Sequence, residues 1–536
     1  MRTAVVPNSA ASLVAFLADG SRTFADQPAY IEGETVTTYA EFWDRSAALS
    51  GFLHARVGVK RGDRVALMLP NVTAFPICTA AILRAGAVQV NVNPFYTARE
   101  LRHQLEDAEA HVVIANAASL PALTASGLTG LASVIVADLP ATAARAQLPE
   151  HVAVYTLEDA MTAGLALPRD WQEPEPQDLA FLQYTGGTTG VSKGAMLTHA
   201  NIVANMRQLL TVGSSHFGVY PITLMTALPL YHIFALTVNM LSMLAIGACN
   251  VLIPDPRDLD GLVAQWARHR INFFTGVNTL CNSLGNHPGF AAISFAPELL
   301  ALGGGAAVQK VVSERWRELT GRHILEGYGL SETSPILTCT PFAEERFLGS
   351  IGRAVPETDL VIRDEEGCEV PTGEVGELCA RGPQVMQGYW RRPTATAAAM
   401  TPDDFFRTGD MARCDADQRY YIVDRQKDMI LVSGFNVYPN EVEAVVAEVA
   451  GVAECACVGA SDPSSGEAVV LYVVRRDETL DEAQVRAHCR RHLAGYKIPR
   501  HILFIPEMPK TSVGKILRRE LRDLFAGTHR GETTTA

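Results

Sequence analysis

The chain of 536 residues is long enough for several cores, and at roughly 100 to 200 residues per domain it predicts three or four structural units. Its 48% hydrophobic and 19% charged residues are typical of a globular protein, and a formal net charge of -13 without a basic block argues against nucleic acid as the main partner. The ten cysteines include no C-x-x-C pair, so they indicate neither a zinc site nor a secreted disulfide framework and favour a reducing cytoplasm.

Two apolar stretches bear on membrane targeting. The segment 1–20 has one arginine, a short apolar run and Pro7, and it predicts no signal peptide. The stretch 233–249 is nearly as long as the roughly 20 residues that span a bilayer. We favour a buried strand, helix and strand here, because short apolar runs beside prolines flank it. A single transmembrane helix is the alternative, and peripheral membrane contact stays open.

The first half of the chain alternates short apolar runs with amphipathic segments, which predicts parallel sheets covered by helices. The first series has strands at 64–70, 87–93, 111–115 and 133–138 and helices at 74–85 and 97–107. The second series, expected to form another sheet, has strands at 179–185, 250–254, 271–276, 299–304 and 323–329. Together they predict an α/β fold with a large N-terminal domain of two parallel sheets.

The pattern changes in the last third of the chain. From 349 to 423, strand-like runs broken by Gly and Pro turns, with no helix between them, predict a small antiparallel barrel or sheet. Asn440 is predicted to cap a helix that opens a compact α+β domain. That domain has further strands at 452–458, 468–474 and 501–505 and a helix at 481–493. The tail 527–536 is expected to be disordered.

A loop rich in glycine and threonine, YTGGTTGVSKG, follows the apolar run that ends near residue 184. Such a loop lets backbone amides approach a polyphosphate, while hydroxyls and Lys193 supply further donors. It is not the G-x-x-x-x-G-K-[ST] loop, because Gly194 follows the lysine, and the chain also lacks the G-x-G-x-x-G fingerprint in its other glycine segments. Taken alone, the loop is equally compatible with a plain surface turn.

Five further motifs follow this loop in the chain: LPLYHIFAL from 228, EGYGLSET from 326, FRTGD from 406, VDRQKDMILVSGFNVYPNEVE from 423 and PKTSVGKILRREL from 509. In this order the six motifs resemble the adenylate-forming superfamily of acyl-CoA synthetases, luciferases and peptide-synthetase adenylation domains, and most of all bacterial long-chain fatty acid:CoA ligases. The resemblance covers nearly the whole chain. It implies an adenylation domain at 1–424 with a β-rich subdomain at 349–423, a hinge at 425–428 and a mobile C-terminal domain at 429–536.

The resemblance implies a reaction in two halves. A carboxylate attacks the α-phosphate of ATP to give an acyl-adenylate and pyrophosphate, and the thiol of coenzyme A then takes the acyl group. Because two anions meet in the first half, the site needs cations and oriented donors. ATP, Mg²⁺, coenzyme A and a medium- to long-chain fatty acid are therefore implied as ligands. A fatty acyl-AMP ligase that serves a carrier protein, an aryl-acid:CoA ligase and a catalytically silent binding protein remain alternatives.

The resemblance also implies roles for individual residues. Those that bind ATP or AMP are Thr185, Gly186, Gly187, Thr188, Thr189, Gly190, Lys193, Gly304, Gly305, Tyr328, Gly329, Thr333, Asp410 and Arg425. Within this set Asp410 accepts the ribose hydroxyls and Thr185 is a weak Mg²⁺ ligand. Glu332 is the main Mg²⁺ ligand, Lys515 bridges the carboxylate and the α-phosphate, and His232 gates the path between acid and thiol. Without the resemblance, each is an ordinary surface charge, turn residue or core histidine.

The remaining implied roles concern motion and the two organic substrates. Lys427 is the hinge residue of the rotating domain. The channel for coenzyme A is lined by Ser433, Gly434 and Phe435, and the acyl pocket by Thr275, Gly276, Val277 and Gly303. An apolar setting around His232, with no aspartate to anchor an amino group, favours an aliphatic acid over an amino acid. Chain length stays open, as do a monomer or homodimer and contact with the inner face of the membrane.

Overall fold

The computed structural model describes residues 12–167, 172–185, 192–462, 464–511 and 514–529. Its α-helices are α1 (Leu13–Thr23), α2 (Tyr39–Phe52), α3 (Ala74–Arg84), α4 (Ala98–Ala108), α5 (Leu120–Ala125), α6 (Ala141–Arg145), α7 (Leu157–Gly164), α8 (His199–Val212), α9 (Leu259–Arg268), α10 (Asn278–Gly285), α11 (Pro288–Ala291), α12 (Lys310–Thr320), α13 (Pro393–Ala398), α14 (Pro439–Ala447), α15 (Glu482–His492) and α16 (Arg518–His529). Segments of π- or 3-10-helix are Leu53–Val57, Ala117–Ser119, Ala235–Ser242, Ser331–Thr333, Gln426–Asp428 and Gly495–Lys497.

The strands up to the middle of the chain are β1 (Pro28–Glu32), β2 (Thr35–Thr38), β3 (Arg64–Met68), β4 (Val88–Asn91), β5 (Val112–Ala115), β6 (Ser133–Val136), β7 (Ala153–Thr156), β8 (Leu179–Tyr184), β9 (Gly194–Thr198), β10 (Thr223–Thr226), β11 (Cys249–Leu252), β12 (Phe273–Gly276) and β13 (Leu300–Gly303). The later strands are β14 (Leu325–Gly329), β15 (Ile336–Cys339), β16 (Arg353–Ala354), β17 (Asp359–Arg363), β18 (Gly376–Arg381), β19 (Phe406–Cys414), β20 (Tyr420–Arg425), β21 (Ile430–Val432), β22 (Phe435–Val437), β23 (Val452–Asp462), β24 (Gly466–Arg475) and β25 (His501–Phe504).

The first sheet has seven strands in the order β7-β6-β5-β3-β4-β8-β9. All neighbours are parallel except β8 and β9, which form an antiparallel pair on either side of the glycine and threonine loop. The assignment of 179–185 to the second series was therefore wrong, because β8 pairs with β4. Its apolar pattern indicates a strand that is buried on both faces, which either sheet could have accepted.

The second sheet has nine strands in the order β16-β15-β14-β13-β12-β10-β11-β1-β2. Six neighbouring strands, β14-β13-β12-β10-β11-β1, are parallel, and four of them, β11 to β14, were predicted for this sheet. The strands β1 and β2, which extend the sheet at one edge, were not predicted. The largest hydrophobic core lies between the two sheets and includes the buried rings of Phe75, Phe181 and Phe273. Full burial of each such ring contributes about 1.5–3 kcal/mol.

The stretch 221–254, which has no Asp, Glu, Lys or Arg, forms the buried strand, helix and strand that the sequence favours. It leads from β10 through the helical segment Ala235–Ser242, whose eight residues are all buried, to β11. The segment is wound as a π-helix. Within the described parts of the chain, no helix has both the length and the apolar character needed to cross a membrane.

The last third of the chain forms two smaller sheets. Strands β17 to β20 make an antiparallel sheet, and β21 to β25 form the sheet of the C-terminal domain. The expectation of no helix in 349–423 was wrong, since α13 begins there at Pro393. Asn440 is not the N-cap of α14, because Pro439 occupies the first helical position and Tyr438 precedes it. Helix α16 extends to His529 and so includes the start of the tail that was expected to be disordered. The α/β class with a smaller C-terminal domain is confirmed.

Candidate active site

A cleft of about 2780 Å³ lies where the two large sheets, the antiparallel sheet and the C-terminal domain meet. Residues that directly follow strands line it: Thr185 after β8, Val277 after β12, Gly304 after β13 and Leu330 after β14. The carboxyl ends of parallel strands meet at one edge of a sheet, and ligands of open α/β sheets bind outside that edge. This cleft is therefore the candidate active site.

The two ends of the glycine and threonine loop meet at the cleft. The backbone N–H of Thr185 donates to the carbonyl of Lys193 at 3.0 Å, so the loop is closed at its base. The Lys193 ammonium lies 4.8 Å from the centre of the Tyr389 ring, within cation–π range. The predicted phosphate-binding residues Gly186, Gly187, Thr188, Thr189 and Gly190 lie outside the described residues.

Glu332 lies in the short helical turn after β14, with its carboxylate in the cleft wall. Its Oε1 accepts a hydrogen bond from the Tyr389 hydroxyl at 2.8 Å. Burial raises the pKa of Glu332, while the Tyr389 hydrogen bond and the charges of Arg425 and Lys193 act in the opposite direction. Tyr389 was not predicted as a site residue, since a tyrosine in the segment GYW carries no signal of its own. The hydroxyl of Thr333 is fully buried and bonds to nearby backbone carbonyls rather than lining the cleft.

The donor set around Glu332 fits Mg²⁺ with one protein ligand. Within the described parts of the chain, no group of three or more His, Cys, Asp or Glu side chains could hold a metal ion. Mg²⁺ commonly keeps several waters and binds through one or two carboxylates plus the phosphates of a substrate. A buried carboxylate with a raised pKa gains most from a nearby cation, because its charged form is poorly solvated. Glu332 is thus a suitable single ligand.

Asp410 is held between two side chains at the end of the cleft. Its Oδ2 accepts from the Tyr328 hydroxyl at 2.6 Å, and its Oδ1 lies 3.2 Å from Nε of Arg425. The guanidinium of Arg425 therefore pairs with Asp410 across the β19–β20 ladder, where these two residues are directly opposite. Asp410 itself is almost completely buried. A carboxylate fixed in this way presents oxygens in one orientation to a polar ligand.

Lys515 reaches this same cleft from the C-terminal domain. A Cβ built on Gly305, whose φ is +77°, would lie 3.1 Å from Cε of Lys515. The loop that carries the lysine is tied to the N-terminal domain by a 3.2 Å hydrogen bond from the Thr279 hydroxyl to the Gly514 carbonyl. Burial and the charge of Arg425 lower the pKa of Lys515 to about 8, with Asp410 and Glu332 acting in the opposite direction. The structure thus brings residues more than 100 positions apart into one electrostatic cluster.

His232 lines the cleft shortly before the apolar helix 235–242 and is close enough to Lys515 to be affected by its charge. Burial, with a smaller effect of the Lys515 charge, lowers its pKa to about 3. Its Nδ1 lies 3.4 Å from the backbone N–H of Phe234 and accepts from it. The imidazole is therefore neutral at physiological pH and can contribute shape and hydrogen bonding, but no positive charge.

The residues predicted for the acyl pocket divide into two groups. Val277 lines the cleft, whereas Thr275, Gly276 and Gly303 are buried within β12 and β13 beneath it. At Gly304 a Cβ would lie 2.9 Å from the Phe234 ring and 3.1 Å from the Gly327 carbonyl, so a side chain would not fit at this wall. Gly329 also lines the cleft.

A second buried glutamate lies on β14, six residues before Glu332. Oε1 of Glu326 accepts from the backbone N–H of Val308 at 3.0 Å and so fixes the loop that follows β13. Burial raises the pKa of Glu326 to about 8. At neutral pH this residue is therefore mostly protonated, and it offers a local comparison with Glu332.

The predicted residues for coenzyme A lie away from the cleft. Ser433 and Gly434 form the two-residue turn between β21 and β22, with φ values of 52° and +83°, and Phe435 follows with 56% of its surface exposed. Nothing lies within 4 Å of a Cβ built on Gly434, so its positive φ rather than crowding explains the glycine here. The predicted hinge residue Lys427 does line the cleft.

Comparisons with known proteins identify the family of this chain. The family model for AMP-binding enzymes matches residues 17–390, and the model for their C-terminal domain matches residues 441–515. The long-chain-fatty-acid–CoA ligase of Salmonella typhimurium is 46% identical over 97% of this chain and 96% of its own length, and the ligase of the same name from Bacillus subtilis is 33% identical over 98% and 96%. Among solved structures, ATP-bound MatB from Rhodopseudomonas palustris has a TM-score of 0.82 at 29% identity, covering 97% of this chain and all of the other. The chain belongs to the AMP-binding enzyme family.

Proposed function

We propose that the protein is an ATP-dependent fatty acid:CoA ligase. ATP, Mg²⁺ and coenzyme A serve the reaction, which forms an acyl-adenylate and pyrophosphate and then acyl-CoA and AMP. The observation that carries this proposal is the entry of Lys515, from the far end of the chain, into the cleft that holds Glu332 and Asp410. Relatives named as long-chain-fatty-acid–CoA ligases, at 46% identity over almost the whole chain, support the acid and the thiol.

In the first half-reaction the chain must bring two anions together. Asp410, aligned by Tyr328 and Arg425, accepts the ribose hydroxyls and so orients the nucleotide. Lys193 and the loop base at Thr185 hold the outer phosphates. Glu332 would hold Mg²⁺, which would supply positive charge beside the phosphates. The Lys515 ammonium donates to the carboxylate and the α-phosphate as the new bond forms, which lowers their repulsion.

In the second half-reaction a thiol must approach the acyl carbon from the side that Lys515 fills. We propose that the C-terminal domain rotates about Lys427 and carries the hairpin Ser433, Gly434 and Phe435 to the cleft. The exposed position of that hairpin and the position of Lys427 at the cleft support this. The neutral imidazole of His232 then lies between the acyl and thiol paths without attracting the phosphate.

The acid is proposed to be a medium- to long-chain fatty acid. The apolar lining at Ile233, Phe234, Val277, Leu280 and Leu302 supports an aliphatic chain. An aryl acid is the second candidate, because the 4-coumarate–CoA ligase of Narcissus pseudonarcissus is 32% identical over 94% of this chain and 92% of its own length.

One assay tests the proposal and its rivals. The purified protein is given ATP, Mg²⁺ and a series of fatty and aryl acids, with and without coenzyme A, and pyrophosphate, acyl-adenylate and acyl-CoA are measured. We expect acyl-CoA from medium- to long-chain fatty acids. Pyrophosphate without thioester would favour a fatty acyl-AMP ligase, a preference for aryl acids would favour the second candidate, and no product at all would refute the proposal.

We further propose that the enzyme works in the cytoplasm and contacts the inner face of a membrane peripherally. The exposed side chains of Val219 and Tyr220, next to each other on one loop, support such contact. Cosedimentation with phosphatidylglycerol vesicles tests it, since Val219→Ser with Tyr220→Ser should reduce the bound fraction, and equal binding would contradict it.

A further inference from the structure

An ionic cluster lies at the junction of the C-terminal domain with the rest of the chain. Nη2 of Arg518 lies 2.8 and 3.0 Å from the two carboxylate oxygens of Glu443, and Nη1 lies 3.6 Å from Asp428 and 3.8 Å from Asp424. Arg522, one turn further along α16, pairs with Asp428 at 2.6 Å. Two arginines of one helix thus face three carboxylates that are nearly or fully buried.

The cluster spans the predicted hinge. Asp424 belongs to β20 of the antiparallel sheet, before the hinge, whereas α14 and α16 follow it. Besides its contact with Arg518, Oδ2 of Asp424 accepts from the backbone N–H of Asn440 at 2.9 Å. The Asn440 side chain donates to the Val423 carbonyl at 3.3 Å and its oxygen accepts from Arg518 at 3.1 Å. Any rotation about Lys427 must therefore rearrange this set of contacts.

Arg518 lies only three residues after Lys515, so the position of one depends on that of the other. The lysine lies three residues before the start of α16, in a loop closed by backbone bonds from Thr511 N–H to the Lys515 carbonyl at 2.7 Å and from Leu517 N–H to the Pro509 carbonyl at 2.9 Å. Because the loop is short and internally bonded, its position follows that of the helix start. Arg518 is the first residue of that helix.

We propose that Arg518 is a positioning residue for Lys515. By binding Asp424, which lies before the rotation axis, it holds the C-terminal domain in the arrangement that places the lysine in the cleft. This inference rests on the proposed function and adds that the two half-reactions depend unequally on the cluster. The first needs the Arg518 contacts with Asp424 intact, and the second needs them broken.

The neighbouring arginine provides a matched control. Arg519 is adjacent in sequence, but its side chain is 74% exposed and lies 3.9 Å from Asp523, which is equally exposed. Exposed pairs of this kind contribute little. Changing Arg518 or Arg519 to glutamine alters the charge of α16 by the same amount, so only the position of the arginine differs.

The test measures each half-reaction separately. Pyrophosphate release from ATP and palmitate without coenzyme A reports the first, and palmitoyl-CoA formation from supplied palmitoyl-AMP reports the second. We expect Arg518→Gln to slow the first about tenfold or more and to leave the second within about threefold, because only the first needs the lysine in place. Arg518→Lys should recover part of the loss, and Arg519→Gln should change neither rate. Equal losses in both half-reactions, or no loss in either, would overturn the inference.

A second variant covers the case in which Arg518→Gln destabilises the C-terminal domain by leaving Glu443 unpaired. Asp424→Asn keeps the Arg518–Glu443 pair and weakens only the contact across the hinge, so it should slow pyrophosphate release about threefold while thermal unfolding is unchanged. An unchanged rate in this variant would also overturn the inference. If the wild-type protein forms no acyl-adenylate, the proposed function fails as well. If it does and the variants behave like the wild type, only the inference fails.

Discussion

The two sides of the cleft are built in opposite ways. On the N-terminal side, Asp410 and Glu332 are only 2% and 8% exposed, and each is held by a tyrosine hydroxyl that is itself fixed by the fold. On the C-terminal side, Lys515 sits on a short loop that the Thr279 hydroxyl ties to the opposite wall. In the mechanism that we propose, the nucleotide-orienting groups can be rigid, since they would serve both halves of the reaction. The cation that is proposed to serve one half would have to leave for the other.

Removing the movable cation should have the largest effect. Lys515→Ala should slow acyl-adenylate formation by about 100-fold or more, since a positioned donor at developing charge contributes that much. Thioester formation from supplied acyl-adenylate should be spared. Lys510→Ala is the control, because that lysine lies on the same loop and pairs with Glu454 of its own domain. An equal loss of both half-reactions in Lys515→Ala would contradict the claim that the lysine serves only one of them.

Blocking the movement should have the converse effect. Proline fixes φ near about −65°, so Lys427→Pro should reduce thioester formation by about 50-fold or more while pyrophosphate release continues. Lys427→Ala, which leaves the backbone free to rotate, is the matched control. Stopped-flow measurement of both products gives the two rates. If proline reduced both rates in parallel, Lys427 would not be a hinge.

A change on the rigid side should affect metal use. Glu332→Gln should lower acyl-adenylate formation by about 30-fold and raise the Mg²⁺ concentration needed for half-maximal rate, because one oxygen ligand loses its charge. Glu326→Gln is the control. Its carboxyl has a pKa of about 8 and is largely neutral at pH 7, so an amide replaces it with little change. A Mg²⁺ dependence that is identical in both variants would contradict the role of Glu332.

The rates of the two half-reactions should also differ in their pH dependence, with a smaller effect than in the variants above. Lys515 acts as a cation, and its pKa is lowered to about 8, so it is charged below that pH and loses its charge above it. Acyl-adenylate formation should therefore fall by up to about tenfold for each pH unit above 8, whereas thioester formation should not follow this curve. Lys515→Arg, which stays charged, should remove the fall. A fall of the same steepness in both half-reactions would point to another group.

The sequence predicted the positions of the strands better than it predicted which strands pair with each other. Apolar runs located β3 to β6 and β11 to β14 closely, because a strand buried on both faces needs such a run. The apolar runs could not show that β8 pairs with β4, since an apolar strand could pair with a buried edge strand of either sheet. The helix at Pro393 was missed in a stretch dominated by turn residues, although proline is favoured at a first helical position.

The site was predictable only where a motif carries chemistry. Lys193, Glu332, Asp410 and Lys515 lie in recognisable segments, and the structure brings all four to one cleft. Tyr389 lies outside the motifs and binds a partner far away in sequence, so it offered no signal. Arg518 lies inside the last motif, but the motif does not show that its partner is Glu443. Gly276 and Gly303 illustrate the opposite case, because their segments border the cleft while they themselves are buried in strands.

The central claim is that one nucleotide site is assembled from both domains. A crystal structure of the protein with a bound acyl-adenylate tests it most directly. The account predicts ribose hydroxyls within hydrogen-bond distance of Asp410 and the phosphate near Glu332, with the acyl chain against Val277. A nucleotide bound elsewhere, with Asp410 still paired only to Tyr328 and Arg425, would contradict it.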